Sequence, residues 1–438
     1  MKSYVPHTAE DKQRMLGAMG YAAMEDLLRD IPEAVRLNRP LDLPAPMAEA
    51  DVMRLLNGYA KENAPERPLF RGAGAYKHFI PAIIPALLSR GELLTAYTPY
   101  QFEMSQGMLQ AIFEYQSLIA RLTGMDVSNA SVYDGATAAV EAMLMCREST
   151  KRNKLLISEG LPPEVRAVLA TYAPGCGMDL VEIPLVNGLT DVDAIAAQAD
   201  GAAGLIAASP NYYGLIEDTA ALADAIHAAR GLMVSYVEPI SLGLLKRPGD
   251  LGADIAVGDG QPLGLPLAFG GPYLGFMAAK KKFLRNLPGR IVGESVDDSG
   301  TRAYVLTLQA REQHIRREKA ISNICSNQSL CALTAGIYLT AMGPEGLREI
   351  AEGCMHRAHH LAERIAALPG MRLQYEAPFF LEFVIESDLP TEKIDRAVRE
   401  AGIIGGLPLD DHRMLYCATE MNTAGEIDAL IRALEGIV

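Results

Sequence analysis

The chain has 438 residues, 49% hydrophobic and 21% charged, a composition that fits a folded globular enzyme of roughly two to four domains and excludes disordered or fibrous chains. Acids outnumber bases 54 to 40, for a net charge of −14, so a phosphate backbone is repelled on average and nucleic acid is not an expected partner. No apolar run reaches the roughly 18 residues needed to span a bilayer, so no membrane association is expected either.

Residues 1–70 read as an N-terminal arm. It opens on "MKSYVPHTAEDKQ", which lacks the apolar core of a secretion signal. Pro32, Pro40, Pro44, Pro46, Pro65 and Pro68 cut the arm into short helices and extended links. "FRGAGAYKHFIP" (70–81) then begins a large domain expected over 71–325. In "AYTPYQFEMSQG" (96–107), Thr98, Pro99, Tyr100 and Gln101 match a capping box with proline at the first helical position. Tyr97 and Tyr100 there offer a pocket both an apolar face and a hydroxyl. Met108, Ile112, Tyr115, Ile119 and Leu122 recur at helical spacing, which predicts a helix from about Ser105 to Gly124.

"SVYDGATAAVEAML" (131–144) starts an alanine-rich helix on a Gly-Ala-Thr turn. Its bare amides favour an anion such as phosphate, or Asp134 caps them. Strand-length runs follow: "KLLIS" (154–158), "LVEIPL" (180–185), "GLIAAS" (204–209), "LMVSYVE" (232–238), "DIAVG" (254–258) and "YLGFMAA" (273–279). Helical patterns between most of them predict a doubly wound, mainly parallel α/β sheet covered on both faces. "SPNYYG" (209–214) and Glu238 sit at strand ends, where open α/β sheets place ligand contacts. In "DIAVGDGQPLGLPLAFGGPYLGF" (254–276) a glycine-rich turn after a strand offers Asp259, Gly260 and Gln261, and no nucleophile.

The basic stretch "REQHIRREKA" (311–320) reads as a solvated helix face. "NICSNQ" (323–328) reads as a helix start or a polar loop. From 326 to 438 a smaller α+β C-terminal domain is expected: a helix over 330–342, another over 344–367, then strands at "MRLQY", "FLEFVI" and "RMLYCAT" with helices at "TEKIDRAVREAG" and "AGEIDALIRALEGI". Cys146, Cys176, Cys325, Cys331, Cys354 and Cys417 show no CxxC or histidine-paired spacing. Reduced thiols in the cytoplasm are expected, with no disulfide framework and no metal site. The histidines show no paired acid and no serine-nucleophile motif, and there is no Walker A or opening G-x-G-x-x-G pattern.

Several stretches, in this order, resemble the N-terminal half of the glycine-cleavage P-protein family, glycine dehydrogenase (decarboxylating): "LTAYTPYQFEMSQGMLQAIFEYQ", "NASVYDGATAAVEAM", "ADIAVGDGQPLGLPLAFGGPYLGF", "LTLQAREQHIRREKA" and "SNICSNQ". In many bacteria and archaea that half is a separate chain, subunit 1 (alpha). The resemblance implies the fold-type-I architecture of pyridoxal phosphate (PLP) enzymes, with a large doubly wound domain and a smaller C-terminal one. Catalytic members carry a His-Lys pair after a strand, and the lysine holds PLP. Aligned on Pro266, Gly260 and Gln261 fall at those two slots, and an amide nitrogen is too delocalised to replace the amine. Asp134 stands where catalytic members place a phosphate-binding serine, and Glu238 near the slot of the acid that pairs with the pyridine nitrogen. Lys246 and Lys280 to Lys282 offer no obvious substitute.

The resemblance thus implies a degenerate cofactor site. PLP then belongs to a partner chain, subunit 2 (beta), in an α2β2 heterotetramer that decarboxylates glycine and passes the aminomethyl group to the lipoyl group of H-protein. Tyr97, Tyr100 and Gln101 are the expected contributors to the glycine side of that pocket. His314 and Asn323 are further candidates, and Arg311, Arg316 and Arg317 are candidates for steering an acidic partner. A self-sufficient PLP aminotransferase or decarboxylase, and a purely structural stabiliser, are the competing readings.

Overall fold

The computed structural model describes residues 6–63 and 67–438. It divides into two units, Met1–Pro65 and Glu66–Val438. In the first, helix Ala9–Ala18 is closed by a capping box in which Thr8 and Asp11 satisfy each other's backbone N–H groups. Two short 3-10 turns, Met24–Leu28 and Glu33–Val35, and helix Glu49–Glu62 follow. The short helices and extended links match the proline pattern, although Pro65 lies outside the described residues.

The second unit is built on a seven-stranded sheet. Its order is Val127–Ser128, Gly275–Ala279, Ile255–Asp259, Leu232–Tyr236, Ala202–Ala208, Lys154–Ser158 and Asp179–Ile183. The five strands from Ile255–Asp259 to Asp179–Ile183 pair in parallel; Gly275–Ala279 and Val127–Ser128 pair antiparallel at one edge. All six predicted strands are present, within a few residues of their expected ends. Side chains alternate across the pleat, so Leu205 and Ala207 enter one core while Ile206 and Ala208 enter the other. That double burial is why these strands read as unbroken apolar runs.

Helix Gln106–Thr123 buries Leu109, Ile112, Tyr115 and Ile119, close to the predicted stripe. The capping box at Thr98 to Gln101 does not form. Residues 96–105 are irregular, and the helix begins only at Gln106. A tertiary contact decides this. The Gln106 side chain donates to the Phe102 and Tyr304 carbonyls and accepts from Tyr304 N, pinning the helix start to a hairpin, Ile291–Val296 with Arg302–Thr307, that the sequence reading did not anticipate.

Nor does 311–320 form one solvated helix. It folds as three short turns, Gln309–Arg311, Gln313–Arg316 and Arg317–Lys319, interrupted by a positive φ of 53° at Arg317. Further on, helical residues run over Ser329–Ala366 with a break at Gly343 before Pro344, which separates the two helices as expected. Four strands make the C-terminal antiparallel sheet, in the order Met371–Leu373, Glu382–Ser387, Arg413–Cys417, Leu407–Pro408. Helices Thr391–Glu400 and Ala424–Glu435 bury Ile394, Val398, Ile427 and Leu430 in the core that includes Phe383 and Tyr416. Phe70 joins that core through backbone bonds to Ile404 and Cys417.

Candidate functional site

The carboxyl ends of the parallel strands converge on the start of helix Gly135–Thr150, where an α/β sheet ordinarily receives a ligand. Here the chain's own carboxylates take the exposed amides. Asp134 Oδ1 accepts from Thr137 N at 2.7 Å, and Asp259 Oδ2 accepts from Gly135 N at 3.1 Å. A Cβ on Gly135 would lie 2.4 Å from Tyr236 Oη and 3.0 Å from Asp259 Cβ, so only glycine permits this approach. Burial pushes the Asp259 carboxyl up to about 6 against the pull of the Gly135 and Gln261 amides. Of the two readings of this turn, the cap is the one that forms. Asp134→Ala is expected to lower unfolding stability by about 1 kcal/mol in urea denaturation, and Asp134→Ser by far less, because serine caps nearly as well.

Gln261 is 1% exposed, and its side chain is fully committed. Oε1 accepts from Tyr76 N at 2.8 Å, while Nε2 donates to the carbonyls of Tyr76 (2.9 Å) and Leu265 (2.8 Å). Gly260 N–H donates to Leu274 O, and a Cβ there would meet Leu274 Cδ2 at 2.8 Å. Past Gln261, the Tyr76 hydroxyl donates to Glu382 Oε2 at 2.8 Å, and Glu382 Oε1 accepts from Ala73 N at 2.6 Å. Burial raises Glu382 to about 7, with Glu238 and Glu164 adding to the rise. Glu238 caps its own 3-10 turn, Pro239–Gly243, by accepting from Ile240 N and Ser241 N, and burial raises it as well. Between these groups lies a cleft of only ≈ 40 Å³, lined among others by Tyr76, Tyr236, Glu238, Asp259 and Glu382.

The other candidate residues lie apart from this cleft's hydrogen-bond network. Tyr97 and Tyr100 are 76% and 65% exposed on the irregular segment. Tyr100 meets Arg290, whose guanidinium carbon is 5.5 Å from the ring centroid and whose Nη2 is 3.5 Å from the hydroxyl. Arg290 also reaches Asn327, which donates to Ala130 O and Ser131 Oγ. Arg290 and Asn327 were not singled out from the sequence. Only the proximity of Asn327 to Asn323 in "NICSNQ" pointed towards it. Gln101 and Asn323 are exposed, and exposed His314 lies 3.7 Å from Glu312. Among the described residues no hydrogen bond joins His314 or Asn323 to Tyr97, Tyr100 or Gln101. Arg311 does not project for steering, since its guanidinium binds the carbonyls of Leu287 and Gly289. Arg316 and Arg317 remain exposed.

Two histidines, among the described residues, are hydrogen-bonded to acids. His78 Nδ1 lies 2.8 Å from Glu420, and His227 Nε2 lies 2.7 Å from Asp254. Both partners are distant in sequence, which hid them from the sequence reading.

Residues 2–434 match the family profile described as glycine cleavage system P-protein. The chain is 53% identical, over the full length of both proteins, to a probable glycine dehydrogenase (decarboxylating) subunit 1 of Moorella thermoacetica. The chain belongs to the glycine cleavage system P-protein family. A crystal structure of the glycine decarboxylase (P-protein) of the glycine cleavage system, in inhibitor-bound form, matches at TM-score 0.88 and 44% identity with both chains fully covered. The Lactobacillus brevis glutamate decarboxylase matches at TM-score 0.69 and 15% identity over 93% of this chain and 97% of its own, a likeness of fold alone. The P-protein family thus shares the fold-type-I architecture of PLP enzymes, with a mainly parallel seven-stranded sheet and a smaller C-terminal sheet.

The residues at this P-protein's strand ends do not fit PLP. Among the described residues no amine lines the cleft, and two carboxylates occupy the amides a phosphate would need. The volume is far below the roughly 300–1,000 Å³ of ligand sites.

Proposed function

We propose that this chain is the subunit of a two-chain P-protein that does not anchor the cofactor. With subunit 2 (beta), in an α2β2 heterotetramer, it acts in the cytoplasm as glycine dehydrogenase (aminomethyl-transferring). The partner chain holds PLP; glycine is decarboxylated, and its aminomethyl group passes to the lipoyl group of H-protein. Alone, this chain is inactive. What supports the reading is Gln261, whose amide is used in fastening Tyr76 and Leu265 and cannot serve as an amine.

Within the complex, we assign the chain an arm (1–70), a large domain (71–325) and a small domain (326–438). Tyr97, Tyr100 and Gln101 border the glycine side of the partner's pocket, with His314 and Asn323 as lesser contributors. Exposure of Tyr97 and Tyr100, with Tyr100 held near Arg290 rather than in this chain's own core, favours that assignment. Co-purification with the partner, followed by glycine-dependent CO2 exchange, tests it. Each chain alone is expected to give no exchange, and the mixture to give full exchange. Tyr97→Phe and Tyr100→Phe are expected to reduce turnover or glycine affinity several-fold, about 1 kcal/mol per lost hydroxyl bond, without weakening assembly. Unchanged kinetics in both variants would assign the segment to structure alone.

A further inference from the structure

Three side chains without a part in that reading converge inside the Glu66–Val438 unit. His78 follows the segment fastened by Gln261, Cys354 sits on Ser329–Ala366, and Glu420 follows strand Arg413–Cys417. The Cys354 thiol donates to Glu420 Oε2 at 3.2 Å, and His78 Nδ1 lies 2.8 Å from the same oxygen. One donor atom from each residue lies within 4.8 Å of the others. The His78 side chain is 2% exposed, Cys354 is fully buried, and Glu420 is 14% exposed at its side chain.

A separate observation points to the same place. His78 Nε2 and the Tyr338 hydroxyl are buried without a hydrogen-bond partner, and Tyr338 is fully enclosed. Burial raises the Tyr338 hydroxyl, and Glu420, Cys354 and Glu238 raise it further. Orphaned buried polar atoms are uncommon and costly, and one of them belongs to the imidazole of this imidazole–thiol–carboxylate set.

We propose that His78, Cys354 and Glu420 bind a zinc-class divalent cation. Nitrogen, sulfur and oxygen donors together suit zinc and disfavour calcium or magnesium, which take oxygen alone. Three protein ligands leave a fourth tetrahedral position open, on the pattern of zinc sites that keep a water. Binding forms metal–nitrogen, metal–sulfur and metal–oxygen bonds and releases the Cys354 thiol proton to solvent, while His78 coordinates through Nδ1 as the neutral imidazole with its single ring proton on Nε2, and no oxidation state changes. The thiolate and the Glu420 carboxylate offset the dipositive charge. Donor separations need only widen to about 3.3–3.8 Å, as bonds of ~2.0–2.3 Å in a tetrahedron require. Spacing excluded a metal site from the sequence because the three residues come from segments 66 and 342 positions apart.

Cobalt(II) titration of the chelator-treated full chain tests the proposal. One equivalent is expected to bind with a thiolate-to-cobalt charge-transfer band that Zn2+ abolishes. Cys354→Ser is expected to lose the band and to bind at least about 10–100-fold more weakly, the range that even an outer-shell change costs. Cys325→Ser, at the exposed thiol, is expected to keep both. A band that survives Cys354→Ser, or a wild-type chain that binds no equivalent, overturns the site. Should Cys354→Ser not fold, zinc K-edge absorption on the wild-type chain decides instead. One sulfur and the rest nitrogen or oxygen supports the site, and no sulfur overturns it.

Discussion

Gln261→Leu is expected to lose about 3 kcal/mol of unfolding free energy, and Gln261→Lys at least as much, with neither variant taking up PLP. Leucine matches the size of glutamine but leaves one buried N–H and two buried carbonyls unpaired, at roughly 1–3 kcal/mol each before relaxation. Lysine satisfies the carbonyls of Tyr76 and Leu265 but cannot accept from Tyr76 N, and it brings a charge into a residue environment only 1% exposed. An amine at position 261 is not by itself enough to make a cofactor site. Asp134 and Asp259 still hold the amides at the start of Gly135–Thr150, and a phosphate brought there meets two carboxylates. Urea unfolding measures the first effect. Incubation with PLP, borohydride reduction and a count of retained cofactor measures the second. A Gln261→Lys chain as stable as the wild type and carrying reducible cofactor would show that the loop is an idle site and not a structural fastening.

Glu382→Gln is expected to stabilise the protein at pH 8 by up to about 3 kcal/mol and to flatten its stability between pH 5 and 8. Burial lifts the Glu382 carboxyl from its ordinary 4.5 to about 7, and each pH unit of such a shift corresponds to roughly 1.4 kcal/mol. The folded carboxyl binds its proton more tightly than the unfolded one. Its contribution is therefore complete below about 4.5 and is lost as pH rises through about 7. Asp259, raised to about 6, and Glu141, raised to about 7, act with the same sign. Wild-type stability should fall with rising pH across this window. Glutamine keeps an acceptor for Ala73 N and removes the titration. Chemical denaturation at several pH values checks it, and a variant whose profile remains as steep as the wild type's would exclude Glu382 as the source.

Much of the sheet was legible because both faces of the parallel strands are buried, which writes continuous apolar runs such as "GLIAAS" into the chain. Helix Gln106–Thr123 and the two helices parted at Gly343 were legible from periodicity and from proline. Residues 96–105 were not. Thr98 to Gln101 carry the letters of a capping box, yet Gln106 gains three hydrogen bonds to Phe102 and Tyr304, and residues some 198 positions apart set the helix start. Arg311 shows the same limit. Its sequence neighbours make it look like a free cation, while its guanidinium is spent on the carbonyls of Leu287 and Gly289.

By itself the sequence determined the strands and helices of the main sheet, because apolar periodicity is a local property of the chain, and its matching stretches carried the resemblance to the P-protein family. Only the tertiary structure decided what position 261 does. Tyr76 is 185 residues from Gln261, Asp259 reaches Gly135 across 124, and His78, Cys354 and Glu420 meet from three separate segments. Hydrogen bonds and charge pairs depend on distances of a few ångströms, which folding sets and sequence separation does not record.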